Sequence, residues 1–204
     1  QYQYTTPGAY FVAVRVINSI SSQSHTYVHQ DASNNFIPII VHPKPNTDFF
    51  SHDVCVGDED IWYHNSAIID PLICSNTNPP LSLPQSIDYW DWEVSNDAGA
   101  NWTSVGGGLP DLIHTFTSAG PWKIRLICTS SYFCKDTTEY DITVHDLPIA
   151  NFTSVYSPTC VDNNVVFNGN TGISGGSTNS GTGIINEWDW NFGDPYCTGL
   201  PLCS

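Results

Sequence analysis

The chain repeats itself, and this restricts its fold more than any other property. Val41-His42-Pro43-Lys44-Pro45, followed by Phe49, returns as Val144-His145-Asp146-Leu147-Pro148, followed by Phe152, an offset of 103 residues from Val41 to Val144. Tyr89-Trp90-Asp91-Trp92-Glu93-Val94 returns as Glu187-Trp188-Asp189-Trp190-Asn191-Phe192, an offset of 98 from Trp92 to Trp190. A third match ties the head of the chain to its middle. Tyr4-Thr5-Thr6-Pro7-Gly8-Ala9-Tyr10-Phe11-Val12 aligns with Phe116-Thr117-Ser118-Ala119-Gly120-Pro121-Trp122-Lys123-Ile124, an offset of 112 from Gly8 to Gly120. Self-similarity at one period marks an array of like units, here roughly a hundred residues each with loop insertions. In chain order, residues 1–45 carry the C-terminal half of a unit, 46–147 a complete unit and 148–204 an N-terminal half. The expectation is a window on a longer array, cut within a unit at both ends.

Within a unit the pattern is that of strands. Tyr10, Val12, Val14 and Val16 alternate onto one face of residues 9–17. Trp122, Ile124, Leu126 and Cys128 do the same while Lys123 and Arg125 face away. A period of two marks half-buried antiparallel strands. Gly, Pro, Asn and Ser clusters at 76–84, 106–108 and 173–183 read as turns, and no long segment has helical periodicity. The chain is therefore expected to be all-β, built of tandem sandwiches. Trp92, Trp122 and Trp190 are expected as core aromatics between sheets. Asp91 and Asp189 are expected to face outward. Gly8 and Gly120, each just before a strand, are expected where a positive φ is useful.

Composition narrows the partners. At 40% hydrophobic and 13% aromatic over 204 residues, there is ample side-chain material for cores. Five Lys and Arg against twenty Asp and Glu give a formal charge of -15, which repels nucleic acid and anionic lipid. The longest apolar run, Phe36-Ile37-Pro38-Ile39-Ile40-Val41, falls well short of the roughly 20 residues that span a bilayer, so no membrane insertion is expected. Seven cysteines without a Cys-x-x-Cys pair, among abundant Asn, Ser, Thr and Gly, point to an oxidising, extracellular setting. The odd count leaves one half-cystine whose partner is expected beyond residue 204. With no Met and no signal-type start, residue 1 is not expected to be the natural beginning.

Two motifs carry a family resemblance. Trp188-Asp189-Trp190-Asn191-Phe192-Gly193-Asp194 followed, in the order of a unit, by a segment like Tyr4-Thr5-Thr6-Pro7-Gly8-Ala9-Tyr10-Phe11-Val12 resembles the PKD (polycystic kidney disease) domain, an immunoglobulin-like β-sandwich of microbial surface proteins. The resemblance covers essentially the whole chain. The central unit departs from the pattern: Trp90-Asp91-Trp92-Glu93-Val94-Ser95 lacks the Gly-Asp, and Ala119-Gly120-Pro121-Trp122 moves the proline past the glycine. The surroundings of Cys55 and Cys134 look like the version of this domain in secreted proteins of Bacteroidota. That likeness implies bridges from Cys55 to Cys134, Cys74 to Cys128 and Cys197 to Cys203, leaving Cys160. By spacing alone the four central cysteines allow three connectivities. The resemblance further implies a giant adhesin or surface filament of the gliding-motility type, exported by type IX secretion. Asp136-Thr137-Thr138 resembles the O-glycosylation motif of such proteins, with Thr137 as the attachment site, although three residues also match by chance.

No catalytic constellation emerges, and the chain is expected not to be an enzyme. There is no Gly-x-Ser-x-Gly elbow, His-Glu-x-x-His helix or phosphate-binding loop. His42 and His145 occupy equivalent repeat positions, which suits surface or turn roles better than catalysis. No cofactor is expected except calcium, which would neutralise an acidic array at its junctions through Asp48, Asp58, Asp146 and Asp162; solvated acidic loops are the alternative. Trp62, Tyr63, Trp102 and Tyr132 could form a sugar-stacking platform, with Trp102 the first contact residue and core packing the competing use. Two functions follow. One is a structural or adhesive segment forming a stalk or filament, whose partners are neighbouring repeats, other copies in a filament, and a surface polysaccharide or cell-surface ligand. The other is a carbohydrate- or protein-binding accessory module of a secreted hydrolase.

Overall fold

The computed structural model describes residues 1–77, 79–154, 165–169, 172–173 and 187–191. All regular structure in them is strand. The central repeat supplies most of it: β5 (Val54–Cys55), β6 (Glu59–Trp62), β7 (Leu72–Cys74), β8 (Leu81–Leu83), β9 (Ile87–Ser95), β10 (Thr103–Gly107), β11 (Leu112–Thr115), β12 (Gly120–Ser130) and β13 (Lys135–His145). Five of these form one sheet in the order β10-β9-β12-β13-β5. Strands β6 and β11 pair in a second layer, which residues 46–49 extend through bridges from Asn46 to Ala67 and from Phe49 to His64.

The alternation read from the sequence places the core. Ile124, Leu126 and Cys128 are fully buried along β12, and Trp92 and Val94 join them from β9. Strand β9 pairs antiparallel with β12, so that Trp92 lies in register with Leu126 on one side and Gly106 of β10 on the other. From the second layer come Phe49, Trp62 and Leu112, all buried. Phe49 meets Trp92 edge to face at 4.9 Å between ring centroids and 73° between planes. The Trp92 indole donates Nε1–H to the Pro110 carbonyl at 3.2 Å, so its one polar atom is satisfied. Gly106 is a strand residue, not part of a free turn. A Cβ there would stand 3.0 Å from the end of the Leu112 side chain and in ordinary contact with Trp92, so Leu112 is the neighbour that a side chain here would press on.

Ahead of the central repeat, β1 (Gly8–Tyr10) pairs with β4 (Ile39–Val41) and β2 (Ala13–Ile17) with β3 (Ser24–Val28). Gly8 and Gly120 have φ of 151° and 129°, the positive values expected of them. The head hairpin departs from expectation in its burial: Val14 and Val16 are 56% and 65% exposed. The cause is that β2 and β3 form a sheet of their own, with no second layer on them among the described residues.

The compact units also divide differently from the repeat boundaries at 45/46 and 147/148. Residues 1–51 group with 60–114 and 123–141, and residues 52–59 and 115–122 group with 142–204. The grouping of the head has a visible reason. Ala9 is buried against Leu72 and Cys74 of the β7–β8 hairpin, with Ile40, Leu81 and Leu83 around it, and the Asn76 amide donates to the Ala9 carbonyl. In the last segment, β14 (Pro148–Ile149) pairs with β17 (Gly172–Ile173) and β15 (Phe152–Ser154) with β16 (Phe167–Gly169).

If Trp92 is the anchor of the central core, W92A should destabilise it by about 3–5 kcal/mol, the usual cost of truncating a buried large aromatic. Urea unfolding followed by circular dichroism measures this.

Candidate functional sites

Three places in the chain have the chemistry to matter: the outward face of the five-stranded sheet, the closing edge of the central repeat, and the aromatic groove of the last segment.

On the sheet face, alternation turns Glu93, Lys123, Arg125, Glu139 and Asp141 away from the core. Arg125 donates Nε–H to Glu93, lies 3.7 Å from Glu139, and rests its guanidinium 4.0 Å from the centre of the Trp102 ring. Lys123 pairs with Asp141 at 2.6 Å, and that bond holds the Lys123 ammonium above its usual pKa. A Cβ at Gly99 would stand 3.4 Å from the same indole. Trp102 is thus clamped by a cation–π contact, a use that the sequence did not reveal because its partner is 23 residues away.

The aromatic platform expected from Trp62, Tyr63, Trp102 and Tyr132 is therefore dispersed. Trp62 is wholly buried, because β6 points it into the core. Tyr132 stacks on His42 at 3.6 Å and 10°. Tyr63 is exposed. Trp122, expected in the core, is half-buried: it leans edge-on against Phe116 at 5.0 Å and donates to the Ser118 carbonyl. Trp190 meets Phe152 at 5.7 Å and 68°, and Phe167 at 6.2 Å. These three rings, with Trp188, line an open cavity of about 570 Å3. Asp91 accepts a hydrogen bond from the Ser104 hydroxyl, and Asp189 is exposed.

The four described cysteines are free thiols, which corrects the expected Cys55–Cys134 and Cys74–Cys128 bridges. Cys55 lies in register with His145, the last residue of β13, whereas Cys134 sits in the turn before its first. An extended strand of 11 residues separates those positions, far more than a disulfide can cross. Cys74 is buried in the cluster with Ala9 and Leu72, while the Cys128 sulfur bonds to the Ser66 hydroxyl at 3.4 Å. Burial pushes the Cys128 thiol pKa up. Cys160, Cys197 and Cys203 lie outside the described residues.

The aspartates suggested for calcium are not drawn into a cluster: among the described residues no group of three or more His, Cys, Asp or Glu could hold a metal. Asp48 instead accepts the Tyr140 hydroxyl at 2.8 Å, a bond that raises the phenol pKa, and its Oδ1 also accepts from the Phe49 amide. Asp58 is exposed in a turn, Asp146 is half-buried, and Asp162 is outside the described residues. Thr137 is exposed between two anchored neighbours, since Asp136 accepts the Thr47 amide and Thr138 donates to the Thr47 carbonyl.

At the closing edge, β5 runs parallel to the end of β13, with Val54 opposite Val144 and Cys55 opposite His145. The Val56 amide donates to the His145 carbonyl at 2.8 Å. Asp53 reinforces this edge twice, accepting the Thr143 amide at 2.7 Å and lying 3.6 Å from His145 Nε2. His42 and His145, paired by the repeat, each have a buried Nδ1 without a hydrogen-bond partner among the described residues.

Taken by its structure, the chain is an all-β protein with a sandwich in its central repeat. No family model matches the sequence, and no curated protein does. Among solved structures it is similar to the PKD1 domain of the Vibrio cholerae metalloprotease PrtV, at 14% identity over 51% of this chain and 98% of that one, with a TM-score of 0.31. It is also similar to a carbohydrate-binding module of the β-sandwich superfamily, described for its promiscuous specificity, at 13% identity over 62% of this chain and 52% of that one, with a TM-score of 0.34.

Two measurements test these sites. Buried Cys74 and Cys128 should resist alkylation in the folded chain while half-buried Cys55 and Cys134 react faster, and mass spectrometry should find no loss of protons to disulfide at any of the four. R125A should uncover Trp102, increasing acrylamide quenching of its fluorescence, and should lower stability by about 0.5–2 kcal/mol.

Proposed function

We propose that this chain is a structural segment of an extracellular bacterial surface array, a stalk or filament that carries tension during attachment to surfaces or other cells. The parallel pairing of β5 with β13 supports this best. These strands lie near the start and at the end of the central repeat, so tension along the chain pulls them in opposite directions along their common axis. The hydrogen bonds between them, the one that Asp53 accepts from Thr143 and its 3.6 Å contact with His145 are then loaded together in shear instead of being opened one at a time. Forced unfolding is governed by the barrier to that first rupture. The acidic surface suits an extended chain whose segments repel one another. Its partners are neighbouring repeats of the same kind, and a gliding-type adhesin exported by type IX secretion is the class of protein it fits. Catalysis has no part in this role.

Single-molecule stretching tests it. The central repeat should rupture in one discrete event and release roughly 330 Å of chain, from a hundred residues at about 3.3–3.6 Å each. D53A should lower the rupture force without abolishing the fold. Gradual extension at low force, together with retardation of the chain in polysaccharide-containing gels, would favour the accessory-module role instead.

A further inference from the structure

A sandwich has two outward faces, and in the central repeat they differ in kind. On the five-stranded sheet the outward positions are charged and matched to one another, as Arg125 is with Glu93 and Lys123 with Asp141. On the second layer they are apolar. Phe49 is buried and bridges to His64, so the next residue, Phe50, is turned outward, and its amide donates to the Tyr63 carbonyl at 3.0 Å. Burial of Trp62 turns its neighbours Ile61 and Tyr63 outward beside Phe50, and burial of Leu112 turns Ile113 outward on β11, the strand paired with β6. Phe50, Ile61, Tyr63 and Ile113 are 63%, 36%, 54% and 58% exposed. Large apolar side chains scattered singly over a surface are ordinary, but four on adjoining strands of one face make a patch.

Charge around this patch has one sign. No Lys or Arg occurs between Lys44 and Lys123, a stretch that contains the whole second layer, while Asp48, Asp60 and Asp111 stand on or next to its strands. Asp48 and Asp111 are held there by amides that they accept, from Phe49 and from His64, at 3.0 Å each. A second copy of a chain with formal charge -15 would set acid against acid, which opposes self-association through this face. The two isoleucines disfavour a saccharide, because sugar rings stack on aromatic faces and not on aliphatic branches. We propose that the outward face of the second layer, centred on Phe50 and Tyr63, docks a protein partner whose contact surface has an apolar centre flanked by Lys or Arg. The apolar centre covers the patch. The flanking cations lay their aliphatic stems along its margin and bring their charges to the carboxylates around it. This docking face does not depend on the role in tension, since it lies on the second layer and not on the β5–β13 edge.

Isothermal titration of the 204-residue chain with a short amphipathic peptide, leucines on one helical face and lysines flanking them, tests it. The peptide should bind, and more weakly as salt is raised. F50S/Y63S should weaken binding about tenfold or more, whereas D141N, on the opposite sheet, should leave it within about twofold. Replacing the peptide's lysines with glutamate, or its leucines with serine, should each cost about tenfold or more. The substituted positions are exposed, so circular dichroism and melting should not change; I61T/I113T is the second patch variant, and it should weaken binding in the same direction. No binding at about 1 mM peptide would overturn the proposal. So would folded patch variants that bind like the parent, or a serine–lysine peptide that binds like the leucine–lysine one, which would leave only general charge attraction. A glucosamine oligomer held more tightly than the peptide, or a parent dimer that F50S/Y63S abolishes, would overturn it in favour of a saccharide or of a second copy.

Discussion

The edge-to-face contact of Phe49 with Trp92 is the interaction on which the rest of the central repeat depends. Phe49 comes from the second layer and Trp92 from β9 of the five-stranded sheet, so this one contact joins the two layers. Its requirements spread outward. The indole needs an acceptor for Nε1, which the Pro110 carbonyl supplies. Tyr140 packs on the other side of Phe49, and its hydroxyl binds Asp48, so the segment entering the repeat is tied to β13 by side chains where backbone pairing does not reach it. The recurrence of this geometry in Phe152 and Trp190 shows that the sequence repeat is a repeat of packing.

The polar network is organised around scarcity of positive charge. With so few Lys and Arg, the two on β12 are each shared with carboxylates across the sheet, Lys123 with Asp141 and Arg125 with Glu93 and Glu139. Exposed pairs of this kind are weak individually, but Arg125 is also packed on Trp102 and largely shielded, which makes its contacts worth more than a surface ion pair. The Asp97 loop beside this face is built similarly. The Ser95 hydroxyl and the Asn101 amides bind the Asp97 carboxylate and pull its pKa down to about 2. Its stabilising contribution is therefore complete above the ordinary carboxylate pKa and disappears as pH falls towards 2.

Periodicity made much of this legible. Alternation along β12 identified Ile124, Leu126 and Cys128 as core, and repetition singled out Trp92 and Trp190, because both signals are local in the chain. The same alternation misled for Val14 and Val16, since a period of two says which face is apolar and not whether anything covers it. The β7–β8 hairpin was hidden because β8 lies within a Pro- and Asn-rich run that reads as a turn, and its role, burying Ala9, depends on a contact across more than sixty residues. The Cys55–Cys134 pairing came from resemblance and disagrees with strand direction: β13 carries the chain from the Cys134 turn to the position where Cys55 pairs. Trp102 was expected as a contact residue for a ligand, and the cation that covers its ring lies on another strand, where a local pattern does not reach.

The most direct measurement is a double-mutant cycle on the central pair, comparing F49L, W92F and the double variant by equilibrium urea unfolding. Edge-to-face aromatic contacts contribute about 0.5–1.5 kcal/mol beyond the area they bury, and a coupling energy in that range is the expected result. Additive effects of the two substitutions would mean that Phe49 and Trp92 fill the core independently, and that the recurring aromatic contact does not hold the layers together.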